Sequence, residues 1–246
     1  MRFPTYEETI RWLIPDVEIH QNRYARELDR EVIPGCRWLD LGAGTKLHHG
    51  WYGESPARLA ARATYLVGCD LLADNMRANP QLAARAVADV VRLPFGDASF
   101  TLITANMLLE HVHEPGGMFA EIARILAPGG KFVFVTPNRR HPAVWLLDKF
   151  LTPHHRLNFA VRWVGRPAHE AFPTRYEANT VGRLRHLAMD AGLVVARLEV
   201  FRSWPMFRSP LPAVALECLW IRLQARGPLQ RLGSNLFGCL AKPPAA

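Results

Sequence analysis

Cys36-Arg37-Trp38-Leu39-Asp40-Leu41-Gly42-Ala43-Gly44-Thr45-Lys46 decides how this chain is read. The apolar run Trp38 to Leu41 predicts a buried strand, and it ends in two glycines spaced by one residue. Glycine lets the backbone turn tightly and lets a ligand approach with no Cβ in the way. Asp40 sets a carboxylate beside that turn, and in an open α/β sheet ligands sit at the carboxyl ends of the strands. A dinucleotide fingerprint needs a third glycine to open the following helix. Leu47 stands there instead, which disfavours a nicotinamide dehydrogenase.

Outward from this stretch, apolar runs alternate with helical patterns. Tyr65-Leu66-Val67-Gly68-Cys69-Asp70 predicts a second strand ending in an acid that could take ribose hydroxyls or simply cap a helix. Ala86 to Asp89 predicts a short third strand, again ending in an acid. Phe100 to Ala105 predicts a fourth, with Asn106 to Val112 at its carboxyl end. Gly117 to Leu126 keeps helical spacing with Met118, Ile122, Ile125 and Leu126 on one face. Ala127-Pro128-Gly129-Gly130 breaks it before a strand from Lys131 to Asn138. Thr180 caps a helix ended by Gly192, and Val194–Phe201 and Leu236–Ala241 complete the strands. The pattern predicts an α/β fold: a seven-stranded, mainly parallel sheet with helices on both faces and the last strand antiparallel.

Asp40-Leu41-Gly42-Ala43-Gly44-Thr45 resembles the first motif of the class I S-adenosylmethionine-dependent methyltransferases, with Lys46 where that family usually has another glycine. Leu93-Pro94-Phe95-Gly96-Asp97-Ala98-Ser99-Phe100 matches the family's turn into strand four, although Thr101 replaces the usual aspartate. Leu126-Ala127-Pro128-Gly129-Gly130-Lys131 matches its lead into strand five. Phe172 to Thr180 resembles the ubiquinone-type O-methyltransferase branch. The resemblance covers about residues 21–138. It implies a Rossmann-like fold, S-adenosylmethionine as cofactor, and a small, lipophilic acceptor methylated at oxygen. It also implies cofactor contacts from Asp40, Gly42, Gly44, Asp70, Leu71, Asp89, Val90 and Asn106. Asp89 would accept from the adenine amine beside the Val90 N–H, and Tyr24 on the leading helix would lie over the cofactor.

Methyl transfer from a sulfonium needs alignment and at most one base. The candidate bases are His111, His141, His154 and His155, each of which also reads as ordinary packing or surface. Adjacent His48 and His49 have no further ligand at metal spacing, so no metal is expected, and residues 47–53 read as a lid.

The 246 residues are 49% hydrophobic and 21% charged, which suits one domain over 1–246. That domain would carry an N-terminal helix over 16–33, a cap insertion over about 139–175 and an apolar helix over about 211–226. Met1 to Ile10 contains Glu7 and Glu8 and no apolar leader core, and no run is long enough to span a membrane. Cys36, Cys69, Cys218 and Cys239 lack metal spacing and read as reduced packing cysteines of a cytoplasmic protein. The net charge of +8 is dispersed arginine, a solvated surface. It permits nucleic acid, but residues 106–109 are Asn-Met-Leu-Leu rather than the Asn/Asp-Pro-Pro-aromatic stretch of base amino-group methylation, so nucleic acid is not the expected partner. An RNA methyltransferase or RNA-binding protein, and a methyltransferase fold without catalysis, are the competing readings. Leu211 to Leu223 is apolar nearly all round, flanked by Arg202, Arg208, Arg222, Arg226, Trp204 and Trp220. Residues 204–226 therefore read as a core helix, a homodimer contact or a peripheral membrane anchor.

Overall fold

The computed structural model describes residues 6–47, 55–152, 155, 172–206, 211–225 and 227–245. Its centre is a seven-stranded sheet in the order β3-β2-β1-β4-β5-β7-β6. The strands are β1 (Arg37–Leu41), β2 (Tyr65–Asp70), β3 (Ala84–Val87), β4 (Phe100–Asn106), β5 (Leu126–Pro137), β6 (Val194–Phe201) and β7 (Asn235–Ala241). β1 to β5 pair in parallel, while β7 runs antiparallel to both β5 and β6. Strands β1 to β6 therefore all end on one edge, and every acid or amide the sequence singled out lies there.

Helices cover both faces because the central strands are apolar on both sides. On one face, α5 (Pro115–Ile125) and α7 (Val181–Asp190) pack Phe119, Ile122, Leu184 and Leu187 onto Phe132, Phe134 and Leu240. The Thr180 hydroxyl accepts from Arg183 N–H at 3.2 Å to start α7, and Gly192, at φ +72°, stops it. On the other face, α2 (His20–Glu31) buries Tyr24 and Leu28 against Trp38, Val133 and Phe237, beside Leu59 of α3 (Pro56–Arg62) and Met76 of α4 (Ala73–Arg77). Gly238 of β7 is forced by packing: a Cβ there would lie 2.1 Å from the Phe134 ring. A third cluster joins Ile10 of α1 (Tyr6–Leu13), Ile14 and Val17 to Val214, Cys218 and Ile221 of α8 (Leu211–Leu223). The four cysteines are buried free thiols.

The structure corrects several boundaries. The helix expected over 16–33 begins at His20, and a separate α1 precedes it. Pro15 lacks the N–H a helix interior needs. Asp16, the first residue of the expected helix, pairs with Arg202 at 2.9 Å. Trp204 Nε1 donates to Val17 O at 2.9 Å, holding residues 14–19 as a connection over the end of β6. β3 ends at Val87, so Asp89 sits in the turn beyond it. The break expected at 127–130 belongs to β5, whose pairing with β4 shifts register between Phe100 and Leu102. There Gly129 donates to Lys242 O, and Lys242 N donates back to Gly130 O. Helix α8 stops at Leu223 rather than 226. Of the expected 139–175 cap, α6 (Pro142–Phe150) is seen, and residues 153–154 and 156–171 lie outside the described residues.

Candidate active site at the carboxyl edge of the sheet

The turn after β1 is built by its neighbours. Gly42 and Gly44 have φ of +67° and +47°, a region costly for residues with a Cβ. The N–H groups of Gly42 and Ala43 donate to Cys69 O at 2.8 and 3.2 Å. Gly44 N–H donates to Asp70 Oδ2 at 3.1 Å, and Leu72 N–H donates to Asp70 Oδ1 at 2.9 Å. Asp70 thus braces the β1 turn from the end of β2 and starts its own turn. Its carboxylate oxygens keep lone pairs for hydroxyl donors. Leu71, next along the edge, is 62% exposed and supplies an apolar surface.

Asp40 is buried beneath this turn. Thr104 Oγ1 donates to its Oδ1 at 2.6 Å, and Trp38 Nε1 donates to the same hydroxyl at 2.8 Å. Burial, reinforced by the negative charge of Asp70, pushes the Asp40 carboxyl up to about 7 despite the Thr104 hydrogen bond. Tyr24 does not lie over the pocket. Its ring is fully buried in the α2 core beside Asp40 and Thr104, and burial raises its phenol well above the ordinary range.

Asp89 follows β3 in a turn closed by Val91 N–H to its Oδ1 at 3.2 Å and Arg92 N–H to its carbonyl at 2.9 Å. Ala88 N–H donates to Asp70 O at 3.2 Å, which holds the Asp70 and Asp89 turns side by side, with Val90 half-buried next to them. On the other side of β1, Asn106 ends β4. Its Nδ2 donates to Gln21 Oε1 at 2.8 Å, and its buried Oδ1 has no hydrogen-bond partner among the described residues. Met107 follows at φ +54°, a conformation that non-glycine residues keep only when their surroundings impose it. Its N–H is held by Val135 O at 2.8 Å.

Beyond Met107 lies a polar cluster. Glu110 is 1% exposed. Its Oε2 accepts from Thr136 at 2.9 Å, and Asn179 Nδ2 donates to the Thr136 hydroxyl at 2.6 Å. His111 Nδ1 lies 2.9 Å from Pro173 O, and its Nε2 lies 3.8 Å from Glu110 Oε1. A carbonyl only accepts, so Nδ1 carries a proton. His141 precedes α6 and is 1% exposed, and neither ring nitrogen has a partner among the described residues. Burial lowers it to about 4, so it is neutral at neutral pH. His155 is exposed, its Nδ1 2.8 Å from Thr152 Oγ1. His154, His48 and His49 lie outside the described residues. Among the described residues no group of His, Cys, Asp and Glu could hold a metal.

The edge therefore gathers Asp40, Gly42, Gly44, Asp70, Leu71, Asp89, Val90 and Asn106, leaves Tyr24 in the core, and separates His155 from the rest. Sequence reasoning missed Thr104, Gln21 and Asn179. Only Thr104 carried a signal: a hydroxyl within an apolar central strand, which the register sets opposite Asp40. A nucleoside-bearing cation fits this edge on two observations. Among the described residues, the space a Gly44 Cβ would enter holds only Gly42 O, at 3.8 Å, and Asn106 Oδ1 is a buried acceptor without a donor.

Residues 39–134 match the methyltransferase-domain family. Among curated proteins, the chain is 39% identical over 111 residues to demethylmenaquinone methyltransferase from Beutenbergia cavernae, covering 42% of this chain and 43% of that one. It is 32% identical over 124 residues to the enzyme of the same name from Corynebacterium glutamicum, covering 48% and 51%. The matches thus span about half the length of these relatives. Among solved structures, an S-adenosylmethionine-dependent methyltransferase from Mesorhizobium loti superposes with a TM-score of 0.59 at 19% identity, over 97% of this chain and 100% of that one. One from Methanosarcina mazei superposes at 0.55 and 17% identity, over 89% and 98%. At such identities the likeness shows the fold alone.

Proposed function

We propose, for a chain whose residues 39–134 match the methyltransferase-domain family, that it uses S-adenosylmethionine to methylate a lipophilic, quinone-type ring. One observation carries the cofactor side: a glycine turn with an open Cβ position, braced by the Asp70 carboxylate and flanked by Asp89 along the same edge. The acceptor side rests on the relatives' substrate, a demethylated quinone. That substrate favours a ring carbon over the oxygen expected from the sequence.

When bound, S-adenosylmethionine would supply an electrophilic methyl, accepted by an electron pair of the acceptor with the S–C electrons left on sulfur. The chain's own residues orient and desolvate. Asp70 would take ribose hydroxyls, Asp89 the adenine amine, and Leu71 and Val90 would flank the base. Asn106 Oδ1 would accept from the amino-acid end. The acceptor loses a proton, and His111 is the group placed to receive it. With Nδ1–H on Pro173 O, the second nitrogen is the one left to accept a proton, and it lies 3.8 Å from Glu110 Oε1.

Calorimetry with S-adenosylmethionine, its demethylated product and NAD tests the cofactor. Labelled methyl transfer to a panel of reduced quinones, with the product's methyl located by NMR, tests the acceptor. Binding of the first two and not NAD, with label on a ring carbon, is expected. Label on oxygen restores the O-methyltransferase reading, and no cofactor binding removes both.

A further inference from the structure

We propose that the outer face of α8 docks on an anionic lipid bilayer, presenting the carboxyl edge of the sheet to the membrane. This rests on the reading of a lipophilic acceptor. The sequence of α8 is apolar on nearly every side, and the structure divides that surface into two jobs. Val214, Cys218 and Ile221 pack on Ile10, Ile14 and Val17. Leu216, Leu219 and Leu223 form a stripe on the opposite side and are 68%, 53% and 52% exposed. Their spacing of three and four residues keeps them on one helix face. Trp12 of the packed α1 is 79% exposed as well.

The charges around the stripe are mostly of one sign. Arg222 is exposed on the flank of the stripe, and Arg11 is exposed on α1, its guanidinium 6.0 Å from the Trp204 ring centroid. Asp16, exposed and paired with Arg202, is the acid beside Arg222. Glu217, the acid of α8, is turned inward, 7% exposed, with its Oε1 accepting from Met206 N–H at 2.8 Å. Glu7 and Glu8 are exposed at the far end of α1. A stripe of leucines with tryptophan and flanking arginines is the make-up of a helix lying in the headgroup region of anionic lipid. α8 has thirteen residues, and no helix among the described residues is long and apolar enough to cross a membrane.

Position and size favour lipid over a second copy of the chain. β6 ends on the same edge as β1, β2 and β4, and α8 follows it in sequence. The α1–α2 connection is tied to that end by Trp204 Nε1 to Val17 O and His20 N–H to Ser203 Oγ at 2.8 Å. Gln21 then reaches Asn106 at the candidate site. The stripe and the site thus lie at the same end of the molecule. A thirteen-residue helix is about 20 Å long and about 10 Å wide. Its outer face, roughly 200 Å², is well below the ~800 Å² per partner of a stable dimer. A bilayer requires no matching patch.

The test is co-sedimentation of the whole chain with vesicles of phosphatidylcholine alone or mixed with phosphatidylglycerol. We expect binding to the mixed vesicles, weakened by salt. Leu216→Ser/Leu219→Ser should weaken it at least about tenfold, with S-adenosylmethionine affinity unchanged by calorimetry. Should that pair fail to fold, Arg222→Glu reads the same surface through its charge. No binding by the native chain, or equal binding by both variants, overturns the proposal. So does a stable dimer in sedimentation velocity that the leucine pair dissociates, since a second copy would then cover the stripe. Absence of cofactor binding would instead overturn the methyl-transfer reading, whatever the vesicles show.

Discussion

Asp70 and Gly44 are 26 residues apart in the chain and 3.1 Å apart in space, the carboxylate Oδ2 accepting the glycine N–H. One side chain thus shapes the turn after β1 and offers its remaining lone pairs to a ligand. Asp70→Ala should weaken S-adenosylmethionine binding about ten- to hundredfold, since buried hydroxyls lose a charged acceptor and the turn loses a brace. Calorimetry checks it. Unchanged affinity would leave Asp70 as a turn-former for Leu72 alone.

Two glycines should separate folding from binding. Gly238→Ala would push a methyl into the Phe134 ring, whose nearest atom lies 2.1 Å from the Cβ position. It should cost about 1–3 kcal/mol of stability. Among the described residues Gly44→Ala meets only Gly42 O, at 3.8 Å, so beyond the strain of its positive φ the added methyl enters the ligand's space. Thermal melts and calorimetry on both variants should show the first less stable and still binding, and the second folded and not binding.

The strand ends that make the site were legible because they are local signals: an apolar run closed by Gly-x-Gly or by an acid. β6, Val194–Phe201, matches its expected span residue for residue, because an apolar run, alternating with polar residues at Arg197-Leu198-Glu199-Val200, is bounded there by Gly192 and Ser203. What was not legible is what long-range contacts decide. Asp16 resembles a helix cap after a proline, yet Arg202, 186 residues away, takes its carboxylate. The Leu126 to Gly130 stretch carries helix-breaking residues, but pairing with Phe100 and with Lys242 makes it strand. Tyr24 was placed over the cofactor by resemblance, and the space beside Thr104 and Trp38 draws its ring inward. The apolar periodicity of α8 could not say which of its faces α1 would cover.

Asp40 should make stability fall with rising pH. Its carboxyl is pushed up to about 7 by burial, against roughly 3.9 in an unfolded chain. The folded state therefore binds the proton more tightly. The stability this contributes is fully present below about pH 4 and is lost as pH rises through about 7. Asp40→Asn removes the titration and keeps the Thr104 contact. Melting temperatures of native and variant apo-protein from pH 5 to 8 should show the native falling relative to the variant. Parallel curves would mean Asp40 ionises as an ordinary carboxylate.

His111→Gln tests the proposed base. A glutamine keeps a donor toward Pro173 O but cannot take a second proton. The turnover number should drop about a hundredfold or more, with cofactor affinity unchanged. Unaltered turnover would make the ring a strut between Pro173 and Glu110.

Asp89 and adenine recognition can be resolved with two proteins and two ligands. The Asp89 turn is joined to Asp70 through Ala88 N–H to Asp70 O at 3.2 Å, and neighbouring strands lie roughly 4.8 Å apart. One nucleoside can therefore reach both acids, ribose to Asp70 and base to Asp89. Asp89 Oδ1 already accepts Val91 N–H, so the partner for the adenine amine is the other oxygen. A carboxylate only accepts and an amine donates, while the inosine analogue presents an oxygen in that place. Asp89→Ala should weaken S-adenosylhomocysteine about ten- to hundredfold. Native protein should bind the inosine analogue weakly, because two acceptors then face each other. Asp89→Ala should lose little further affinity for that analogue, since the contact is already absent. The transferred methyl takes no part, so the loss belongs to affinity rather than to the saturated rate. Four dissociation constants decide it. A coupling of more than about 1 kcal/mol between the two changes places the amine on Asp89, whereas additive changes put the adenine elsewhere along the edge.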